Sequence, residues 1–421
     1  MSARRARAAA RFDAAGTVAL ALVPPAMALA NRSSPLVIAI AALLFLAGAV
    51  TERGTGAAGA LLRPLTTPLG AAGLAFLGWC LVSFAWSPFP ALSGQVLSEF
   101  AVTVAGAYGV ARLAPARMPA WGPPLAAGLL AGACLFIMAS LALDLAPQQA
   151  LGQRTALYMF NRSLLTVVLI AGPLAAVLAL RGQRLAALAL LGVCAVAILR
   201  SISGAAALGL LAGLLLFLVA RLLPKRVGVS VAGAVLALAF ALSPVEGDLL
   251  HRVMPEAAHE RLIQSSSRAR VAIAQSFGAA VRAAPWIGSG YGTGARFAEV
   301  PAAQSLGPEM HVMLGVGHPH NSFLQIWSEL GLVGAILGAL IGFLVVRAAA
   351  ALPRRQCAVA LGLLGTAVAV MFVEHGAWQG WWTAGCGAAL AWLKVACTLR
   401  PREADRPAPA TSQPSVSGSV R

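Results

Sequence analysis

The run Gly317-His318-Pro319-His320-Asn321-Ser322, continuing from Ser322 as SFLQIWSELGLVGAILGALIGFLVV to Val346, decides the fold class. Its apolar part carries Gly331 and Gly334. It exceeds the roughly 20 residues that an α-helix needs to cross about 30 Å of hydrocarbon. Two imidazoles stand at its mouth. Polar groups at that depth are costly and mark functional sites, and imidazole is the side chain best suited to moving a proton near neutral pH.

Similar apolar runs recur along the chain. Of its 421 residues 59% are hydrophobic and only 11% charged, and the mean hydropathy is +0.81. A soluble domain of this length carries far more polar residues. The runs are continuous rather than alternating, which excludes a β-barrel. The expected fold is therefore an all-α polytopic membrane protein. About twelve spans are read, at 14–31, 35–51, 69–87, 92–111, 121–146, 162–180, 185–200, 203–220, 227–243, 322–346, 356–375 and 379–399. The seventh and eighth require Arg200-Ser201-Ile202-Ser203 to serve as a very short turn. The N-terminal arginines ahead of Ala26-Met27-Ala28-Leu29-Ala30 resemble a signal peptide. With so many spans following, this segment is read as the first of them.

The net charge of +17 reports topology rather than nucleic acid, because the arginines sit singly between apolar runs. With the N-terminus placed in the cytoplasm, most Lys and Arg fall in cytoplasmic loops, and the short outer loops hold only Arg32, Arg154, Arg162 and Arg200. Both termini are then cytoplasmic and all six histidines lie outside. The six cysteines fall inside the runs with no CxxC spacing, as small buried residues.

This reading divides the chain into spans one to nine (1–243), a long outer loop (244–318), spans ten to twelve (319–400) and a Pro/Ser-rich tail (401–421) expected to be disordered. Loops as long as 244–318 are usually functional. Within it, 268–284 has apolar residues at helical spacing, which predicts an amphipathic helix on the outer membrane face, ended by Pro285. Gly288, Gly290, Gly292 and Gly294 then form a flexible turn; they lack the Lys-Ser/Thr of a phosphate loop.

His320 is the candidate general base, with Asn321-Ser322 capping the helix behind it. His318 and Asn321 are candidate substrate contacts. A metal site at the histidines would need a third ligand from His311 or Glu309; no HExxH or close acidic pair supports one, so no metal or other cofactor is expected. Outer arginines are out of place by the positive-inside rule, and a lipid-linked diphosphate would explain them, since guanidinium binds phosphate oxygens with paired donors. Arg270 leads these, followed by Arg268, Arg200, Arg154 and Arg162. Gly334, Gly338 and Gly342 read as a helix-packing face. Glu99 and Glu374 read as partners of buried donors, and Trp378, Trp381 and Trp382 as an interfacial aromatic belt.

His320-Asn321 followed by Gly331 and Gly334 resembles the signature of the O-antigen ligases, which share a superfamily with O-antigen polymerases and protein O-oligosaccharyltransferases. Arg270 ahead of Pro285-Trp286-Ile287-Gly288-Ser289-Gly290 is similar to that superfamily's segment before the signature. The resemblance implies a GT-C-type glycosyltransferase fold in the bacterial inner membrane with a periplasmic active site. It implies an undecaprenyl-diphosphate-linked glycan as donor and lipid A–core as acceptor, with no nucleic acid partner. His320 would take the place of the family's essential histidine and Arg270 that of its loop arginine. A second family arginine lies in a Ser-Arg-Gly-Ala-like stretch; Arg200-Ser201-Ile202-Ser203-Gly204-Ala205 matches it with the arginine displaced. The alternatives are a polymerase, a protein O-oligosaccharyltransferase and, from another class, a lipid-linked glycan transporter. No internal repeat of the kind many transporters show is found.

Overall fold

The structure is a computed structural model that describes residues 3–116, 118–153, 155–261, 267–374 and 376–399. Arg154, His375 and the 401–421 tail lie outside the described residues. Among those described there is no strand. The helices are α1 (Ala3–Ala21), α2 (Val23–Leu29), α3 (Ser34–Arg53), α4 (Gly56–Leu62), α5 (Pro68–Val82), α6 (Pro90–Leu113), α7 (Gly122–Ala142), α8 (Ala146–Ala150), α9 (Asn161–Leu180) and α10 (Arg184–Leu199). They continue with α11 (Gly204–Leu222), α12 (Lys225–Leu242), α13 (Glu246–Val253), α14 (Glu256–Arg261), α15 (Ser267–Ala283), α16 (Pro301–Gln304), α17 (Pro308–Leu314), α18 (Ser322–Ala351), α19 (Arg354–Val373) and α20 (Gly380–Thr398).

Among the described residues, each apolar run read from the sequence contains helix. By length and apolarity, nine helices among the described residues can cross a membrane, or ten if the pair α1 and α2, bent by 40°, counts as one. The count of twelve is not reached. One reason is that α10 is only 16 residues long, about 24 Å at 1.5 Å per residue and short of a full hydrocarbon core. The molecule is an all-α polytopic membrane protein.

Helix α9 is the most enclosed of the candidate spans. It packs with α20, α10 and α7 in the larger apolar core. Small residues set the close approaches. Gly209 and Gly213 of α11 sit against Thr366 of α19, whose hydroxyl donates to the Gly209 carbonyl at 3.0 Å. Gly338 and Gly342 face Phe240 and Leu236 of α12, so the glycine face of α18 is a packing face.

Helix α15 forms where the spacing predicts, but its apolar face is turned inward. Ile273, Phe277, Ala280 and Val281 pack with Phe297, Val300, Leu314 and Leu324 in a small core of their own. The Phe277 and Phe297 rings stack at 4.7 Å. The loop thus supplies its own apolar cover, and this face is not offered to lipid. The tryptophans also differ from expectation: Trp381 and Trp382 are buried at 4% and 5% exposure, and Trp378 donates to the Glu329 carboxylate at 2.7 Å. Buried indole N–H groups seek acceptors, and here protein carboxylate and amide groups replace headgroups. Glu99 lies on an exposed face of α6 and accepts from Gln95 at 3.1 Å.

Candidate active site at the mouth of α18

The start of α18 is a rigid mount. Asn321 is 1% exposed. Its side-chain oxygen accepts from the Phe323 and Leu324 N–H groups at 2.8 and 3.1 Å, two of the donors that a helix start leaves unmatched. Its amide nitrogen donates to Glu246 at 2.6 Å and to Ser243 at 3.2 Å. These bonds tie the cap to the end of α12 and the start of α13, and they engage Asn321 inside the protein.

One residue earlier, His320 has φ +54°, a left-handed conformation that costs a non-glycine residue about 1–2 kcal/mol. Its backbone N–H donates to Nδ1 of His318 at 3.3 Å, and the two rings meet edge to face at 4.2 Å. His318 Nδ1 therefore acts as an acceptor, which assigns the proton of the neutral ring to Nε2. Nδ1 of His320 is buried without a hydrogen-bond partner.

Arg270 lies in the first turns of α15. Its guanidinium donates to the Glu374 carboxylate at 2.7 Å and to the Val373 carbonyl. It thereby closes the C-terminal end of α19, where the helix dipole favours a cation. Glu374 thus has the donor partner expected of it, and it lines the same cavity as the histidines. That cavity, about 450 Å³, is bordered by Asn31, Arg32, Tyr158, Asn161, Arg162, His318, His320, Glu374, Gln379 and Trp381, among others. The Arg162 guanidinium lies over the Trp381 ring, 5.5 Å from its centroid. No ion pair among the described residues engages Arg32 or Arg162. The Asn161 side-chain oxygen is buried with no partner.

The sequence candidates separate accordingly. His318, His320 and Arg162 line the cavity, and Arg270 reaches its wall through Glu374. Arg268 is exposed and paired with Glu256. Arg200 is exposed at the turn between α10 and α11, and neither it nor Arg268 borders the cavity. Arg32, Asn161 and Gln379 are cavity residues that the sequence reading did not single out. The one signal for Arg32 was its place among the few outer arginines. No group of three His, Cys, Asp or Glu side chains among the described residues is arranged to hold a metal ion.

Burial is the main force on both imidazoles. With the neighbouring His320 it holds His318 down at about 4; the Glu374 carboxylate opposes this, while Arg270 and Arg162 add to it. Burial and then the Arg270 charge lower His320 from its ordinary value, against a hydrogen bond to the Glu374 backbone. Both rings are thus neutral at neutral pH, and His320 has a nitrogen free to receive a proton. Its lowered value keeps it unprotonated, and so able to accept a proton, at mildly acidic pH. If it is the base, activity should hold as pH falls below 6.5, the ordinary histidine value, and decline only on passing the lowered one; a pH–rate profile on the purified protein measures this.

Further along, α18 is broken. Gly331 has φ 65° and ψ −163°, which interrupts the helical hydrogen bonds. The 285–290 stretch replaces them. Ser289 and Gly290 N–H groups donate to the Ser328 and Glu329 carbonyls at 3.0 and 2.8 Å, and Leu332 N–H donates to the Pro285 carbonyl at 2.8 Å. The Trp79 indole donates to the Leu330 carbonyl at 3.0 Å. The fully buried Glu329 carboxylate accepts from Gly292 N–H at 2.5 Å and from Gln325 at 2.7 Å. The glycine turn is therefore a fixed strap rather than a flexible one, because a broken buried helix must find partners for its backbone.

Residues 185–339 match the family model described as O-antigen ligase. No curated protein matches the chain. The matched region begins in α10 and ends in the second half of α18, and it includes Arg270, the glycine strap, both histidines and Gly331. With its all-α membrane fold, this chain carries an O-antigen ligase family region over residues 185–339.

Proposed function

We propose that the protein is an O-antigen ligase that moves a polysaccharide from undecaprenyl diphosphate to a hydroxyl of lipid A–core at the periplasmic face of the inner membrane. The family match supports ligase- or polymerase-type glycosyl transfer in general. The observation that carries the finer reading is the convergence of two neutral imidazoles and two arginines outside ion pairs on one cavity of about 450 Å³. In this mechanism the acceptor oxygen attacks the anomeric carbon from the face opposite the diphosphate, inverting it. The carbon–oxygen bond to the diphosphate breaks and its electron pair leaves with the phosphate. His320 takes the acceptor proton. Arg162 and Arg32 hold the diphosphate and stabilise its growing charge. Arg270 fixes Glu374 in the wall and adds positive potential. The donor supplies the driving force, and no step calls on a metal ion.

Arg162→Lys keeps the charge but loses the paired donors. It should raise KM for the lipid-linked donor roughly ten-fold, the equivalent of one charged hydrogen bond. Unchanged donor kinetics would remove Arg162 from the diphosphate site. The overall reading is tested with purified protein in detergent, given lipid-linked glycan and lipid A–core with divalent ions chelated. Glycan on lipid A–core supports it. Longer chains left on the carrier would indicate a polymerase, and glycan on Ser or Thr of a protein a protein oligosaccharyltransferase. No joining with any acceptor would reopen transport.

A further inference from the structure

A second basic cavity lies at the other end of α3. Asn31 and Arg32, just before this helix, border the histidine cavity. Arg53, its last residue, borders the second one, of about 590 Å³. The helix has 20 residues, about 30 Å of rise, or one hydrocarbon thickness. The two cavities therefore face opposite leaflets. Arg53, Arg63 and Arg112 reach the second one from three separate elements, over a floor that includes Gly56 and Gly59.

Each arm is anchored through its backbone. Tyr108 of α6 donates to the Leu61 carbonyl of α4 at 2.5 Å. A side chain at Gly70 would meet the Pro64 carbonyl at 2.2 Å, so the turn bearing Arg63 packs directly on the start of α5. Lys394 donates to the Arg112 and Ala114 carbonyls at 2.6 and 2.7 Å, which leaves the Arg112 side chain exposed at the cavity. The acidic groups nearby are Glu52, 3.2 Å from Arg53, and Asp13, which also feels Arg53. Arg63 and Arg112 enter no ion pair among the described residues. Beside them Leu62 is 60% exposed, an apolar neighbour suited to an acyl chain. A general excess of basic residues on one membrane side does not require three arms to converge on one floor.

We propose that this cavity binds the phosphate of an anionic membrane lipid in the leaflet opposite the histidine site. Arg63 and Arg112 would supply paired donors to its oxygens. Full-length protein in mixed micelles should retain phosphatidylglycerol at least ten-fold more tightly than phosphatidylcholine, read by native mass spectrometry. Arg63→Lys with Arg112→Lys keeps the charge that sets topology and should weaken that preference several-fold. Arg226→Lys, outside the cavity lining, should leave it unchanged. Gly59→Leu is a second variant that removes no charge. A Cβ at Gly59 meets only Arg63 Nε, at 3.8 Å, so the added side chain should fill the floor and exclude the lipid. Equal retention of the two lipids, or a preference that survives both cavity variants, would overturn the proposal. Displacement of phosphatidylglycerol by millimolar inorganic phosphate would also overturn it, in favour of a soluble phosphate site.

Discussion

His320→Ala is expected to lower glycan transfer by about 10²–10⁴-fold, the usual worth of a positioned general base. The protein should still insert and remain monodisperse, because Asn321 caps α18 and its bonds to Ser243 and Glu246 do not pass through the imidazole. Alanine retains the left-handed backbone at φ +54°, so a sceptic could assign the loss to strain. His320→Gly answers that objection. Glycine adopts this conformation freely and should gain about 1 kcal/mol of stability, yet it has no proton acceptor and should be as inactive as alanine. The two variants thus separate conformation from chemistry. Transfer near the parent rate by either one, at normal expression, would remove His320 from the reaction. A rate restored by glycine alone would mean that the residue serves geometry.

Much of this site was legible because its parts are local. Alternation of apolar runs with Arg-bearing loops gave the helices, since burial in lipid imposes length and hydropathy on each span independently of its neighbours. The His-x-His-Asn-Ser run gave the mount, since a cap needs only residues two and three positions away. What escaped was non-local. Arg270 and Glu374 are 104 positions apart, and neither residue names the other. Arg32 had the same appearance in the sequence as any stray outer arginine until α3 carried it to the cavity. The tryptophans looked interfacial because indole suits an interface. Only the fold shows that Trp378 faces the buried Glu329 carboxylate. The glycine strap misled for the same reason. Glycines signal freedom in a sequence, whereas here their missing side chains allow a tight contact with a helix some 40 residues on.

That contact yields the second large expected effect. Gly331→Ala should destabilise the protein by about 3 kcal/mol or more. Its backbone lies in a region that is essentially confined to glycine. An added Cβ would stand 2.4 Å from the Trp286 carbonyl oxygen and 2.5 Å from the Ile287 nitrogen. Either α18 closes into a regular helix and expels the strap, or the strap moves and leaves the Ser328 and Glu329 carbonyls and the Leu332 N–H short of partners. Each unmatched buried group costs about 1–3 kcal/mol. Gly288→Ala attacks the same joint from the other side, where a Cβ would meet the Glu329 backbone at 2.5 Å. Both should lower the thermal midpoint in detergent, and the double variant should cost less than the sum of the singles, because the first already opens the contact. Gly233→Ala is the comparison, the same change inside α12: an added Cβ there meets nothing within 4 Å, so it should not lower the midpoint. Equal midpoints for Gly331→Ala and Gly233→Ala would mean that the break in α18 is not what holds the strap.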